Sequence, residues 1–356
     1  MGYGLMEFAF TEEQAMIGET AKAFFAENAT SERTRRAMAA GGIDRALWQS
    51  FCTELGLAGI ALPEAHGGAG LGLVEFALVA EAAGAQVAAL PLLGLATAAR
   101  AISAGGSDAQ KAEWLPKLAS GEAIAAAEGM ATAQYADGKL TGTFDLVPHG
   151  AAADMFLFVT PGNAWIVRAD APGVSVQAYT SMDQTRPLSK VTLAAADADP
   201  LPNAQAAIDA LHAGGWVCLA AEALGGAQAA LDRTVAYAKE RVQFGRAIGS
   251  FQAYKHRLAD MMIEIEQARS AVYWAACAVD EESDEAPIAL HAAKSFCADT
   301  FFMCASNMIQ LHGGIGFTWE HDAHLYFKRA RSIQTMLGKG DFHREQVAQL
   351  ILGEAA

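Results

Sequence analysis

Long stretches of helical periodicity fill the second half of the chain and limit its possible folds more than any other feature. From about residue 203, apolar residues recur at helical spacing, and short breaks that contain glycine separate the stretches. The stretches cover 205–240, 251–280, 286–312 and 322–350. Long helices joined by short connections are typical of a bundle, because each helix buries its apolar side against its neighbours. The sequence therefore predicts a C-terminal four-helix bundle.

Two zones of different character precede these stretches. Residues 7 to about 120 read as helices; the first has Thr11 as a candidate N-cap, followed by two glutamates that favour the helix dipole. From 121 to about 200 the chain has short β-rich runs separated by Gly, Pro, Asn and Asp, which is typical of antiparallel strands. We predict a mainly α, α+β protein. Its parts are an N-terminal helical domain (1–120), a small antiparallel β domain (121–202) and the bundle (203–356).

The charge and the distribution of apolar residues exclude several classes of partner. The 356 residues carry a net charge of −15, which argues against nucleic acid or an anionic membrane as the main partner. The charge-free run 82–99 is broken by Pro91, so we interpret it as a helix end, a turn and a helix start rather than a membrane span. The first 14 residues have no basic segment and no long apolar core, so we expect no signal peptide and a cytoplasmic protein.

Cysteine and histidine spacing gives little support for a metal site. The five cysteines contain no C-x-x-C pair, so buried free thiols are expected. His321, Asp322 and His324 lie close in sequence, but no further ligand spacing accompanies them, and we predict no metal. We interpret the nearby Glu320 and Arg329 as an ion pair or a solvated face.

The segment ERVQFGRAIGSFQAYKHRLADM (240–261) places an arginine, a Phe-Gly turn and a glutamine at the mouth of a helix. A solvated loop between helices would explain it, and so would half of a phosphate site. With FTEEQ, LGLAGIALPEAHGGAGL, QKAEWLPKLASGEAIAA and IQLHGGIGFTWEHDAHLYFKRAR, in this order, it resembles the acyl-CoA dehydrogenase family of flavoproteins. The similarity runs along nearly the whole chain.

The resemblance implies a cofactor, a reaction and a set of binding residues. In the family, FAD lies between two subunits: its ring and the substrate thioester lie against one β domain, and its diphosphate and adenosine reach the neighbour's bundle. A carboxylate removes the α-proton of the acyl-CoA, and the β-hydrogen leaves as hydride to the flavin. The positions that match the family's contacts to the diphosphate and adenosine are Arg241, Phe244, Gln252, Gln310, Gly313 and Gly314.

The chain departs from the family where the catalytic carboxylate is expected. The usual glutamate position near the C-terminus matches Leu337, and the alternative position on the first bundle helix matches Gly215. The catalytic residue is therefore unknown, with Asp341 as a weak candidate for a shifted carboxylate. Glu222 follows Gly215 by about two turns, and we predict a structural role for it. Arg331 is a minor candidate for a phosphate contact.

The β domain departs from the family as well. The segment that holds flavin and substrate in the family is here EGMATAQYADGKLTG, which is shortened. Leu146 replaces a tryptophan beside the flavin ring, and Pro148, which has no N–H, replaces a threonine. The part that would hold the ring is thus degraded, while the part that would reach a neighbour's FAD is intact.

These departures lead to a functional hypothesis with two alternatives. The chain is predicted to be one subunit of a hetero-oligomeric (α2β2) acyl-CoA dehydrogenase that degrades bulky lipid or steroid acyl-CoA esters, with a homologous partner supplying the ring pocket and the glutamate. Electron-transfer flavoprotein is the expected electron acceptor. The alternatives are a self-sufficient homo-oligomer with an atypical base, for which Glu128 and Asp341 are the residues to test, and a non-catalytic assembly subunit.

Overall fold

The computed structural model describes residues 10–129 and 132–353. The start of the chain, on which the absence of a signal peptide was predicted, lies mostly outside the described residues, as do Met130 and Ala131 of the shortened segment. The first part of the chain is helical. Its helices are α1 (Glu12–Asn28), α2 (Ser31–Ala39), α3 (Arg45–Thr53), α4 (Leu73–Ala85), α5 (Leu92–Gly105) and α6 (Asp108–Ala119).

Side-chain caps fix the start of several of these helices. Thr11 caps α1 by accepting a hydrogen bond from the Gln14 N–H, and the Gln14 side chain accepts one from the Thr11 N–H in return. The predicted N-cap is therefore confirmed. The apolar run 82–99 forms the end of α4, a turn and the start of α5, as predicted. Among the described residues, no helix is both long enough and apolar enough to cross a membrane.

Two four-stranded sheets form the middle of the molecule. The strands are β1 (Ala125–Gly129), β2 (Gln134–Ala136), β3 (Lys139–Pro148), β4 (Met155–Thr160), β5 (Asn163–Arg168), β6 (Val174–Ala178), β7 (Leu188–Asp197) and β8 (Asp199–Pro200). One sheet has the order β1-β4-β5-β8 and the other β2-β3-β7-β6. The Phe144 and Phe158 rings, one from each sheet, stack with centroids 3.7 Å apart in the core between them. The pairings are antiparallel as predicted, except that β1 runs parallel to β4.

The C-terminal part is a helical bundle, which confirms the predicted fold class. Its helices are α7 (Ala204–Glu240), α8 (Gln252–Asp280), α9 (Ala286–His312), α10 (Ala323–Thr335) and α11 (Gly340–Leu352), and a short hairpin of β9 (Val242–Gln243) and β10 (Arg246–Ala247) follows α7. The prediction of one continuous helical stretch over 322–350 is wrong, because two helices, α10 and α11, form there. Leu337 and Gly338 adopt φ values of 49° and 104°, which no α-helix accommodates.

Glycines let α7 cross α4 at close range and so join the first and last parts of the chain. A Cβ atom built on Gly225 of α7 would lie 1.8 Å from the carbonyl oxygen of Glu81 in α4. In the same way, a Cβ on Gly84 of α4 would lie 2.2 Å from the carbonyl oxygen of Glu222 in α7. The apolar core is continuous across this crossing, which places Glu222 at the centre of the molecule.

Candidate functional site

The predicted diphosphate-binding residues lie on the ends of three bundle helices that meet. The Tyr254 hydroxyl at the start of α8 donates to the Leu311 carbonyl at the end of α9, over 3.1 Å. The Tyr237 ring near the end of α7 stacks on the His312 ring with centroids 4.5 Å apart. These contacts bring the end of α7, the start of α8 and the end of α9 together. All six predicted positions, Arg241, Phe244, Gln252, Gln310, Gly313 and Gly314, are exposed there.

A tight hairpin turn projects an aromatic ring from this end of the bundle. Phe244 and Gly245 link β9 and β10 with φ values of 53° and 77°, as the twist of a two-residue hairpin requires. Phe244 is 92% exposed. Behind it, the Arg246 guanidinium lies 4.0 Å from the centre of the Phe251 ring, which supports the hairpin against the start of α8.

The chemistry of this end suits a diphosphate. Phe251, the N-cap of α8, supplies no side-chain acceptor to the first N–H groups of this 29-residue helix, whose positive end can therefore attract an anion. Gly313 has φ 64° and ψ −143°, and a Cβ on it or on Gly314 would contact nothing within 4 Å, so a ligand can approach the backbone closely. Arg241 is exposed beside them and supplies a guanidinium fork. These groups are of the kinds that bind a diphosphate.

A separate cavity of about 430 Å³ lies between the β domain and α10. A bulge in β3 between Phe144 and Val147 gives Leu146 a positive φ and places it on the cavity wall. Leu337 and Gly338, from the turn between α10 and α11, line the opposite part. The Leu146 and Pro148 side chains have no donor or acceptor, so these side chains cannot form hydrogen bonds with a flavin ring.

The two positions predicted from the sequence to match the family's catalytic glutamate face each other in the structure. A Cβ atom built on Gly215 would lie 2.4 Å from Leu337 Cδ1 and 2.9 Å from Thr97 Cγ2. The Leu337 side chain therefore occupies the space that a side chain at position 215 would need. Neither position carries a carboxylate, and the aliphatic side chain of Leu337 fills the space between them.

Three side chains hold the turn that carries Leu337. The Trp216 indole N–H donates to the Leu337 carbonyl over 2.8 Å, and the His343 Nε2–H donates to it over 3.1 Å. Lys294 is fully buried and donates to the carbonyls of Ile333 and Gly338, over 3.0 and 3.3 Å. Burial lowers the pKa of Lys294 to about 8 and that of His343 to about 3, with Lys294 also lowering the latter. Trp216, Lys294 and His343 thus fix this turn.

Beneath the cavity lies a buried cluster of two arginines and two carboxylates that we call the ion cluster. Its members are Asp183, Arg186, Glu222 and Arg329, each at most 5% exposed. Arg186 Nη2 donates to Glu222 Oε2, and Arg329 Nε donates to Asp183 Oδ2 over 2.9 Å. Arg329 Nη1 lies 3.5 Å from Glu222 Oε1, which closes the cluster. The cluster connects the β domain to α7 and α10.

The contacts in the ion cluster correct the interpretation of Arg329 and agree with that of Glu222. The expected pairing of Arg329 with Glu320, or its solvation, is wrong, because Arg329 points inward to Asp183 and Glu222. Among the described residues, the Glu222 carboxylate pairs only with the two arginines of the cluster, in keeping with a structural role. Burial disfavours the charged form of Arg186, but Glu222 and Asp183 outweigh this effect and raise its pKa. In the sequence, only Glu222, a charged residue within the apolar run CLAAEALGG, indicates the cluster.

Glu128 lines the same cavity as Leu146 and Leu337. Its Oε1 accepts a hydrogen bond from the Gly129 N–H over 2.9 Å. Burial raises the pKa of the Glu128 carboxyl to about 7 from an ordinary value of 4.5, and the bond from Gly129 opposes the shift only partly. A carboxyl group that titrates near neutral pH in a cavity can hold or release a proton there.

We expect the substitution Glu128→Gln to alter how stability depends on pH. Between pH 4.5 and about 7 the folded chain holds a proton on Glu128 that the unfolded chain has lost. Protonated Glu128 therefore contributes fully to the free energy of unfolding below pH 4.5, and this stability is lost as the pH rises through about 7. The glutamine variant lacks the titration, so its melting temperature should gain on that of the wild type from pH 5 to 8, as measured by thermal unfolding. The exposed Glu19→Gln serves as a control, and a constant difference across this range would refute the shifted pKa.

The remaining candidates lie outside the cavity or make ordinary contacts. Asp341 is exposed in the first turn of α11 and does not line the cavity. Asp322 accepts from Ser31 and Arg35, and the His321 Nδ1 accepts from the Ala323 N–H. No group of three or more His, Cys, Asp or Glu residues within 10–129 and 132–353 is arranged to hold a metal. Arg331 lines the cavity and donates to Gln334.

Comparison with known proteins identifies the family. Residues 11–122 match the family model described as acyl-CoA dehydrogenase, N-terminal domain, and residues 205–352 match acyl-CoA dehydrogenase, C-terminal domain. The chain is 38% identical over 330 residues to acyl-CoA dehydrogenase IpdE2 of Mycobacterium tuberculosis, covering 92% of this chain and 93% of that protein. The chain belongs to the acyl-CoA dehydrogenase family. This family comprises FAD-dependent oxidoreductases that act on CH–CH bonds.

Two solved structures are similar over nearly the whole chain. The ChsE4-ChsE5 complex of Mycobacterium tuberculosis contains a chain with a TM-score of 0.90 and 29% identity, covering 99% of this chain and 100% of that one. The Tcur3481-Tcur3483 steroid ACAD contains one with a TM-score of 0.88 and 32% identity, covering 96% of this chain and 98% of that one. The resemblance to the acyl-CoA dehydrogenase family is thus confirmed for both fold and family.

Proposed function

We propose that this acyl-CoA dehydrogenase family member is one subunit of a hetero-oligomeric enzyme that oxidises an acyl-CoA to an enoyl-CoA. In this proposal its bundle end binds the diphosphate and adenosine of FAD, and a homologous partner supplies the flavin-ring pocket and the catalytic glutamate. One observation carries the proposal: Leu337 and Gly215, the two positions of the usual base, face each other without a carboxylate. At the bundle end, by contrast, every predicted binding residue is exposed.

The relatives support a heteromeric assembly and a bulky substrate. Two similar structures carry paired names, ChsE4-ChsE5 and Tcur3481-Tcur3483, and the second is called a steroid ACAD. We therefore propose an α2β2 assembly and a steroid or similarly bulky lipid acyl group. A cytoplasmic location and electron-transfer flavoprotein as the electron acceptor complete the proposal.

The residues of this chain would bind and orient rather than move protons at the substrate. FAD, when bound, supplies the acceptor for the hydride that leaves the β-carbon of the thioester. The Arg241 guanidinium would form paired hydrogen bonds with diphosphate oxygens, and the N–H groups at the start of α8 would add their partial positive charge. Phe244 would cover the adjoining part of the cofactor, and the backbone at Gly313 and Gly314 would approach it closely.

The first test is the flavin content of the chain expressed alone. We expect it to purify without stoichiometric FAD and without acyl-CoA dehydrogenase activity, because it lacks a ring pocket and a base. The tagged chain expressed in its native host should instead co-purify with a homologous subunit, with FAD and with activity. A lone chain that is yellow, fully loaded and active would refute the proposal.

The second test is the substitution Arg241→Ala in the co-purified complex. Loss of a guanidinium that binds a diphosphate should weaken FAD binding by roughly tenfold to a hundredfold, since hydrogen bonds to charged groups contribute about 1.5–3 kcal/mol. Fluorescence titration of the deflavinated complex with FAD would measure it. Arg36→Ala on α2, which removes an exposed arginine far along the chain, is the control. Unchanged FAD affinity in Arg241→Ala would instead favour an assembly-only subunit.

Glu128 supports a second candidate function, a self-sufficient homo-oligomer with an atypical base. It is a carboxyl of raised pKa in the same cavity as Leu337. In that case a purified homo-oligomer would turn over acyl-CoA, and Glu128→Gln would abolish turnover while Asp341→Asn would not. Turnover unaffected by Glu128→Gln would remove this candidate.

A further inference from the structure

Helix α11 is attached to the bundle through one buried side chain. It packs against α9, and of its 13 described residues only His343 is buried. Phe342 before it and Arg344 after it are both exposed. Surface helices usually make such a contact with an apolar stripe, but here an imidazole makes it. The attachment of α11 therefore depends on a group that can gain a charge.

The His343 ring uses both of its nitrogen atoms in this position. Nε2 donates to the Leu337 carbonyl over 3.1 Å, so it carries a hydrogen. Nδ1 lies 2.8 Å from Nδ1 of His291 on α9. In a neutral ring that donates through Nε2, Nδ1 is an acceptor, so His291 donates through its own Nδ1–H. The pair fits together with one hydrogen between the two Nδ1 atoms.

Two protonated rings do not fit this geometry. An imidazolium has a hydrogen on each nitrogen, so both Nδ1 atoms would carry one across a gap of 2.8 Å. Contact between two cations would then replace the hydrogen bond. The closed pair can thus hold at most one added proton, whereas two solvated imidazoles hold two below a pH of about 6.5. Acid pH therefore favours the state in which α11 has left α9.

The surroundings of the pair also oppose its protonation. Burial and Lys294 lower the pKa of His343 to about 3, and burial and His212 lower the pKa of His291. Of the nearby carboxylates, Asp341 is exposed and Asp299 pairs with Arg344. The titratable and charged groups around the pair come from α7, α9, the turn before α11 and α11 itself: Asp209, His212, Lys294, Asp299, Lys339, Asp341, Arg344 and Glu345.

We propose that α11 is a pH-sensitive latch: when both His291 and His343 are protonated, its first turn leaves α9 and loosens the cavity wall at Leu337. The Leu337 carbonyl then keeps the Trp216 donor but loses the His343 donor. The latch does not involve the bundle end or a catalytic carboxylate, so it does not rest on the proposed function.

Hydrogen exchange of the purified full-length protein, followed by mass spectrometry, measures how often α11 opens. Exchange times are scaled for the pH dependence of the chemical rate, and peptides from α11 are compared at pH 7.5 and 5.0. Opening of the first turn should rise at least roughly tenfold at pH 5.0, because the open state holds at least one proton more than the closed state. Peptides from α5, which contains no histidine, should not change. Constant opening of α11 over this range would overturn the proposal.

Two variants identify the rings responsible. His343→Gln keeps an amide N–H for the Leu337 carbonyl, and His291→Asn keeps a donor for His343, but neither variant has two rings to protonate. In both, the rise in opening between pH 7.5 and 5.0 should be at least about threefold smaller than in the wild type. His256→Gln, on the exposed side of α8, should keep the wild-type response. A full response in both pair variants would overturn the proposal. FAD binding by the native complex is a separate readout, so neither result bears on the proposed function.

Discussion

Replacing Glu222 with leucine should lower the free energy of unfolding by about 3–5 kcal/mol, because removing one partner of a buried pair leaves an uncompensated charge. Glu222 is 2% exposed, accepts from Arg186 and lies 3.5 Å from Arg329 Nη1. Leucine has a similar size, so loss of packing volume contributes little. Without Glu222 the two guanidiniums share only Asp183. Equilibrium denaturation with urea would measure the change.

Two further variants separate the charge effect from a general effect of substitution. Glu240→Leu, at the exposed end of the same helix, should change stability by no more than about 0.5 kcal/mol. The double variant Arg186→Met with Glu222→Leu removes one arginine and one carboxylate together, and should recover much of the lost stability. A Glu222→Leu protein as stable as the wild type would show that the cluster is hydrated rather than closed.

Substituting Gly225 with alanine should cost about 3 kcal/mol, even though alanine favours helices over glycine by about 1 kcal/mol. The added Cβ would lie 1.8 Å from the Glu81 carbonyl oxygen. That atom belongs to the α4 backbone, so relief requires the two helices to separate rather than a side chain to rotate. Urea denaturation would again give the free energy.

Gly18→Ala provides the matched control for this substitution. Gly18 also lies within a helix, α1, but its added Cβ would lie 3.4 Å from the end of the Leu78 side chain, which is ordinary contact. The variant should gain up to about 1 kcal/mol from helix propensity. If both glycine variants changed stability by the same amount and in the same direction, backbone contact would not be the deciding factor.

The order of helices and strands could be predicted because local pattern determines it. Apolar periodicity marked the bundle helices, and Pro91 marked the break between α4 and α5. The division of 322–350 was missed, because Leu337 has a positive φ that sequence patterns assign to glycine. The parallel pairing of β1 was not foreseen either, because Ala125–Gly129 is mostly alanine and has weak strand propensity.

A candidate site could be predicted from the sequence only where its residues lie close together along the chain. Arg241 and Gln252 lie within one short segment, so a family motif could mark them. The ion cluster joins Asp183 and Arg186 to Glu222 and Arg329, which are far apart in sequence, and only the fold brings them together. The raised pKa of Glu128 likewise results from burial, and the neighbouring residues in the sequence do not indicate that burial.

The contact between position 215 and Leu337 bears on how such a protein could change over evolutionary time. A glutamate introduced at 215 would meet the ends of the Leu337 and Thr97 side chains, so both would have to move to make room for it. A carboxylate at this position would therefore require rearrangement of these two neighbours as well as the substitution itself.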